Sequence, residues 1–271
     1  MLPIDSPIQL PPQRLGAEWS VLPAWIPVAE MGVLPVNAFV RDGGEPLLVD
    51  TGLAALGDAF IDTLGQVLDP ASLRWVWLSH TDPDHTGNLV RVLERAPQAQ
   101  VLTSFLGMAK LGLSGFDTSR VHLLEPGVAF QLGDERLHPL RPPYYDAPES
   151  MGFYDEHADV LFAVDSFGAL LPELVDSANG LDSVRMGDGM TAWSAIDAPW
   201  LADLDEQVRH RSLDAVARLD PALILSGHLP PARGMAPQLV NALIDASRKA
   251  RSDALSMGEM PAALKRSLRA A

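Results

Sequence analysis

The 271-residue chain contains no cysteine. That absence excludes disulfides, cysteine-held iron–sulfur clusters, zinc ribbons and thiol nucleophiles together. Basic residues are scarce as well. There are 20 Lys+Arg against 35 Asp+Glu, a formal net charge of −15. Nucleic acid is therefore not an expected partner, because phosphate binding needs clustered Lys and Arg. Residues 247–271 hold six basic and two acidic side chains, which leaves −19 on residues 1–246. The basic end reads as a solvated helix face. Long apolar runs are missing too. Nothing approaches the ~18 consecutive apolar residues that a membrane helix needs. The opening MLPIDSPIQLPPQR has no basic stretch followed by an apolar one, so it does not read as a secretory signal. The expectation is a cytoplasmic protein with no membrane partner.

What is present is ordinary for a globular fold. The chain is 47% hydrophobic and 20% charged, which excludes global disorder. At about 100–200 residues per domain, its length allows one large domain or two small ones. No repeat, low-complexity tract or long linker divides it. A single domain over 1–271 is expected, with a basic C-terminal helix from about residue 236. The stretch NAFVRDGGEPLLVDTG reads as strand, Asp-Gly-Gly turn and strand. Ala54–Leu68 has helical spacing, and Arg74–His80 is a buried strand. Asn88–Ala96 is helical, Gln100–Ser104 a strand, and a helix runs through Gly107–Leu113. VHLLEP, VAFQLGD and RLHPLRPP read as short strands, and Asp159–Gly168 as a buried one. Leu201–Leu219 is helical, Pro221–His228 a strand, and Ala236–Ser256 a helix. The pattern predicts an α/β protein with two mixed sheets and helices outside.

The densest chemical signal is Ser79-His80-Thr81-Asp82-Pro83-Asp84-His85-Thr86-Gly87-Asn88, at the end of a predicted buried strand. Neither a helix nor a straight strand turns all four of His80, Asp82, Asp84 and His85 to one side. Pro83 also holds Asp82 toward extended geometry. A loop is expected, with Thr86 as the N-cap of the next helix. A loop can curl the four side chains about one point, and imidazole with carboxylate is a divalent-metal ligand set. Carboxylates crowded this closely would repel one another without cations to offset them. Asp165 and His228 sit at or near the ends of two other predicted strands, suitable positions for a site at a sheet edge.

SHTDPDHTGN resembles the H-x-[HED]-x-D-H signature of the metallo-β-lactamase fold. Within that superfamily it is most similar to the flavodiiron proteins and their oxygen-binding di-iron relatives, whose version has Glu in the second variable position. LLVDTG (Leu47–Gly52), LFAVDSFG (Leu161–Gly168) and ILSGHLPP (Ile224–Pro231) also resemble segments of these proteins. The resemblance implies a four-layer αββα sandwich. It implies a first metal held by His80, Asp82 and a bridging Asp165, and a second held by Asp84, His85, Asp165 and His228. Asp146 stands where those proteins carry one more histidine, and is expected to ligate in its place. Asp50 is implied as a buried carboxylate bracing the ligand loop. His122, His138, His157 and His210 read as structural or surface residues. Tyr144, Tyr145 and Tyr154 cluster around Asp146 but are not assigned to catalysis.

The ligand charge bears on chemistry. Asp82, Asp84, Asp146 and Asp165 would neutralise two divalent ions before any hydroxide is added. A neutral core acidifies bound water weakly, and carboxylate-rich sets suit harder ions. Iron is therefore expected, with zinc or manganese as alternatives. The leading expectation is a di-iron protein that binds or reduces O2 or NO. The alternatives are a metal-dependent hydrolase of an ester, thioester or lactone, and a non-enzymatic sensor of oxygen or metal. A nuclease is disfavoured by the acidic body. A β-lactamase is disfavoured by Asp82 and Asp146 where imidazole would be wanted. Only 43 residues follow His228 in the 271. A flavodoxin-like module of about 100–150 residues does not fit there. No flavin in this chain and a separate electron donor are the resulting expectations. The resemblance further implies a head-to-tail homodimer.

Overall fold

In the computed structural model, which describes residues 4–249, the chain begins with two short edge strands, β1 (Ile8–Gln9) and β2 (Gln13–Arg14). Both pair with β3 (Trp19–Val28), which forms a ten-residue antiparallel ladder with β4 (Gly32–Arg41). The strand expected at Asn37 is thus the second half of a longer hairpin. β5 (Leu47–Val49) continues the sheet antiparallel, and β6 (Trp75–Trp77), β7 (Gln100–Thr103) and β8 (Val121–Leu123) follow in parallel. The parallel strands are joined by α1 (Gly57–Gly65), by α2 (Pro83–Thr86) with α3 (Leu89–Arg95), and by α4 (Phe105–Leu113).

The second sheet runs β14-β13-β12-β11-β10-β9. Its strands are β9 (Phe130–Leu132), β10 (Glu135–Leu140), β11 (Gly152–Asp155), β12 (Val160–Phe162), β13 (Leu223–Ser226) and β14 (Leu229–Arg233). β12 and β13 are parallel and the remaining pairs antiparallel. Between β12 and β13 lie α5 (Ser183–Asp197) and α6 (Glu206–Leu219). α7 (Ala236–Lys249) closes the described chain.

Alternation along the strands builds three apolar layers. Phe39, Leu47, Val49 and Trp77 point between the sheets to meet Phe153, Phe162, Leu137 and Leu225. Trp77 lies 4.7 Å from Phe153 and Phe153 lies 5.3 Å from Phe162, centroid to centroid. The buried indoles are satisfied: Trp77 Nε1 donates to Met151 O at 2.8 Å and Trp19 Nε1 to Asp155 Oδ2 at 3.0 Å. Val40, Leu48 and Val76 point outward, under Phe60, Leu64 and Val92 of α1 and α3. Leu161, Ile224 and Ala232 face the other way, under Met190, Leu213 and Leu239 of α5, α6 and α7. The expected four-layer αββα sandwich is the observed fold.

Several elements differ from expectation. The loop after His80 contains a helical turn, α2, with Asp82 extended at its N-cap position and Pro83 at its start. Pro's fixed φ suits that position. Thr86 ends α2 rather than capping α3, and its hydroxyl donates back to Asp82 O at 3.0 Å. The strand expected over Asp159–Gly168 stops at Phe162. Leu201–Leu219 is split into a 3-10 turn, Pro199–Asp203, and α6, where the Asp205 carboxylate caps Gln207 N at 2.8 Å. β11, β14 and α5 were not expected. The remainder of the helix expected to Ser256, and the basic tail, lie outside the described residues. No described helix is long and apolar enough to cross a membrane.

Candidate metal centre

Parallel pairing puts the C-terminal ends of β5 and β6 side by side, and likewise those of β12 and β13. Both pairs open onto the same edge of the sandwich. Asp50 follows β5, His80 follows β6, Asp165 follows β12 and His228 follows β13. The two sheets are joined here by Asn37 of β4. Its Nδ2 donates to Ser226 O at 3.0 Å and Leu229 O at 2.8 Å, and its backbone N donates to Gly227 O at 2.8 Å.

Asp165 is at the centre. Beyond Phe162 the chain turns sharply, with Val164 at φ 55 and Phe167 at φ 70. A β-branched residue rarely adopts positive φ, so this turn is held against local preference. It aims Asp165, only 1% exposed, into the site. Asp165 Oδ2 lies 3.2 Å from His80 Nε2. Oδ1 lies 3.3 Å from His85 Nε2 and 3.4 Å from His228 Nε2. One carboxylate therefore faces three imidazoles, one through one oxygen and two through the other.

The far nitrogens of these rings fix their tautomers. His228 Nδ1 lies 2.9 Å from Pro35 O, an acceptor only, so Nδ1 carries the proton. His85 Nδ1 donates to Asp50 Oδ2 at 2.9 Å. Asp50 also accepts from Ser79 N and Ser79 Oγ, both at 2.8 Å. With its own proton spent on Asp50, Ser79 Oγ is left as the acceptor for His80 Nδ1 at 3.0 Å. With the rings neutral, all three Nε2 atoms then present lone pairs to the oxygens of Asp165. Lone pairs do not bond to one another. His85 Nε2 and Asp165 Oδ1 are buried with no hydrogen-bond partner among the described residues. A cation between them supplies what is missing, and the residues present fit a metal ion.

The remaining residues divide into two groups. Asp84, His85 and His228 have ligand atoms within 4.8 Å of one another, as do His80, Asp82 and Asp146. Asp84 Oδ2 lies 3.5 Å from both His85 Nε2 and His228 Nε2. Asp146 Oδ1 is 4.0 Å from His80 Nε2. The Asp146 loop is fastened on several sides. Met151 N donates to Ser79 O at 2.8 Å, Thr81 Oγ1 to Glu149 Oε1 at 2.8 Å, and Ser166 Oγ to Tyr144 O at 2.8 Å. Lys110 Nζ pairs with the same Glu149 oxygen. Every residue expected at the site is thus brought there, Asp50 as the brace behind His85.

The electrostatics match a site built for positive charge. Burial works to raise the Asp165 carboxyl, yet His80 and His85 hold it well below the usual carboxylate range. Burial likewise opposes Asp84, and His85 with His228 keeps it low. Burial disfavours His85 as a cation, but Asp84, Asp165 and Asp50 drive it well above the usual imidazole range, so that without a metal ion a proton takes the place on Nε2 that the ion would hold. Asp146 is pushed up by burial and by Asp165.

Backbone approaches are close. A Cβ on Gly227 would lie 3.0 Å from His85 Cε1 and 3.1 Å from Asp165 Oδ1. Only glycine leaves the space between these groups free.

Sequence reasoning gave Ser79 no role although it opens the motif, and missed Asn37, Glu149, Trp193 and Asp197, which have no motif around them. Trp193 packs 4.9 Å from the His228 ring. The other histidines lie elsewhere. His122 packs on Trp75, His138 pairs with Glu156, and His210 with Glu206. His157 approaches Glu135, whose charge is met, with that of Glu18, by Arg41. Of the tyrosines, Tyr144 touches the site, donating to the backbone carbonyl of Asp165 at 3.1 Å. Tyr154 donates to Asp159, and Tyr145 lies beside Trp200.

The chain resembles known proteins over most of this architecture. A family model described as ODP family beta lactamase matches residues 34–228. Flavo-diiron protein FprA2 of Clostridium acetobutylicum is 28% identical over 134 residues, covering 49% of this chain and 34% of that protein. A nitric oxide reductase of Moorella thermoacetica is 27% identical over 141 residues, covering 49% and 33%. Rubredoxin oxygen:oxidoreductase from Desulfovibrio gigas superposes with a TM-score of 0.75 at 19% identity, over 87% of this chain and 60% of that one. The matches thus span about a quarter to a third of the curated relatives' length, and the superposition speaks for the fold.

Proposed function

The chain belongs to the ODP family beta lactamases, and from that premise we propose that it holds two divalent metal ions, iron foremost, and reduces O2 or NO with electrons from a separate donor. One observation carries the metal reading. Three imidazole Nε2 lone pairs converge on Asp165, leaving His85 Nε2 and Asp165 Oδ1 buried without partners.

His80, Asp82, Asp146 and Asp165 are the ligands of the first position. Asp84, His85, Asp165 and His228 are those of the second. Four carboxylates against two divalent ions favour hard, redox-active metal over a strongly acidified zinc water. Similarity to a flavo-diiron protein and to a nitric oxide reductase points the same way. Bound iron would supply one-electron chemistry. The protein's part is placement. Asp50 keeps the His85 proton on Nδ1, Pro35 O does so for His228, and Ser79 for His80. Trp193 walls the His228 side against water. Taking O2 to water consumes four electrons and four protons. Coupling two NO to nitrous oxide and water consumes two of each. The chain holds no cysteine to carry a cluster, so the electrons are assigned to a donor outside it.

Metal analysis of protein purified with and without air, followed by O2 and NO uptake with a reduced artificial donor, tests this. Iron near two per chain with gas consumption is expected. Zinc occupancy with ester or lactone turnover, and no gas uptake, would overturn it.

A further inference from the structure

α5 ends at Asp197. Sequence patterning gave this residue no role, yet it reaches the site. Ligand oxygens of Asp197, Asp146 and Asp165 all lie within 4.8 Å of one another. Asp197 Oδ2 is buried and has no hydrogen-bond partner among the described residues. Asp165, itself 1% exposed, brings its carboxylate into the same space. Asp197 is also the final residue of a 15-residue helix. The C-terminal end of a helix carries partial negative charge, so a carboxylate is disfavoured there.

Three penalties therefore fall on one side chain: burial without a partner, two neighbouring carboxylates, and the wrong end of a helix dipole. A cation at the first position reverses all three, because it bonds the orphaned oxygen and neutralises its neighbours. Oxygen ligands lie about 2.0–2.2 Å from such an ion. Carboxylates already this close need only side-chain adjustment to share one.

We propose that Asp197 is a metal ligand, completing the first position with His80, Asp82, Asp146 and Asp165. The inference rests on the two-metal reading above and adds a residue to it. A fifth carboxylate leaves two divalent ions one negative charge in excess. The site then prefers a harder, more highly charged metal state at the first position.

Mn(II) titration of the metal-free protein, followed by the signal of free Mn(II), tests it with Asp197→Asn and Asp197→Leu. The wild type should bind two equivalents. Both variants should keep one and bind the other at least ~10-fold more weakly, the scale on which losing even a supporting partner is felt. The metal-free variants should melt at higher temperature than the metal-free wild type, because a carboxyl crowded between Asp146 and Asp165 is gone. A residue with a merely structural role would lower both melting temperatures. Variants that bind two equivalents with unchanged affinity would overturn this inference alone. A wild type that binds neither Mn(II) nor Fe(II) would overturn the metal reading and this inference with it.

Discussion

His85 and Asp50 are joined by a 2.9 Å hydrogen bond, from Nδ1 to Oδ2, 35 residues apart in sequence and both buried. The same carboxylate takes the backbone and side-chain donors of Ser79. One acid therefore orients one imidazole directly and a second through a serine. Asp50→Asn keeps the shape but offers His85 an amide in place of one carboxylate oxygen. Metal affinity should fall by about 10–100-fold, read by chelator competition. An unchanged affinity would show that His85 is held some other way.

Gly227→Ala asks a different question. Its methyl would press on His85 Cε1 and Asp165 Oδ1 at 3.0 and 3.1 Å. Crowding at this point spreads the groups around the second position. Metal stoichiometry should drop toward one while the far-ultraviolet circular dichroism stays that of the wild type. Two equivalents in a folded variant would contradict the geometry.

Phe153→Ala tests the inter-sheet core. The ring is fully buried and packs on Trp19, Trp77 and Phe162. Removing it should cost about 3–5 kcal/mol by urea denaturation. Met151 O, two residues away, receives the Trp77 indole. The loss should therefore extend to metal retention, measured on the same samples.

Tyr154 gives a pH dependence away from the site. Its hydroxyl donates to Asp159 Oδ1 at 2.9 Å. Partial burial, then Asp159, pushes the phenol up from 10.0 to about 12. The folded chain thus holds this proton more tightly than the unfolded one. The associated stability is present in full below pH ~10 and lost as pH rises through ~12. Solvent screening keeps it small, so the direction is the test. Tyr154→Phe should flatten the alkaline decline, and phenolate absorbance should show one late-titrating tyrosine fewer than in the wild type, the buried Tyr144 remaining. A decline unchanged in the variant would assign it elsewhere.

The site was more legible in the sequence than the fold around it. His80, Asp82, Asp84 and His85 fall within six residues, and that density survives any uncertainty over local geometry. Asp165 and His228 are placed by the resemblance of LFAVDSFG and ILSGHLPP, and the short apolar strands that precede both agree with it. The β3–β4 hairpin was obscured by Pro23, Pro27 and Pro35, which argue against a strand interior. In the structure Pro23 lies opposite Asn37, and the β3 backbone is paired on both sides. α5 was invisible for a different reason. SVRMGDGMTAWSAID has two glycines and little apolar periodicity, and isolated propensity is poor there. It forms where Asp182 caps it and where Gly189 allows close passage over Leu170 O, 2.3 Å from where a Cβ would stand. Asp197 was missed with it, because a residue at the end of an unseen helix has no address in the sequence.

The proposed ligands are shared between the two halves of the sandwich. His80, Asp82, Asp84 and His85 extend from the first sheet, whereas Asp146, Asp165 and His228 extend from the second. Any ion held between them is a suture across the seam, in a chain with no disulfide to do that work. Loading it adds stability set by concentration over dissociation constant. It does so at the boundary where the halves would first part. Chelation should therefore loosen the sandwich along that boundary before it melts either sheet.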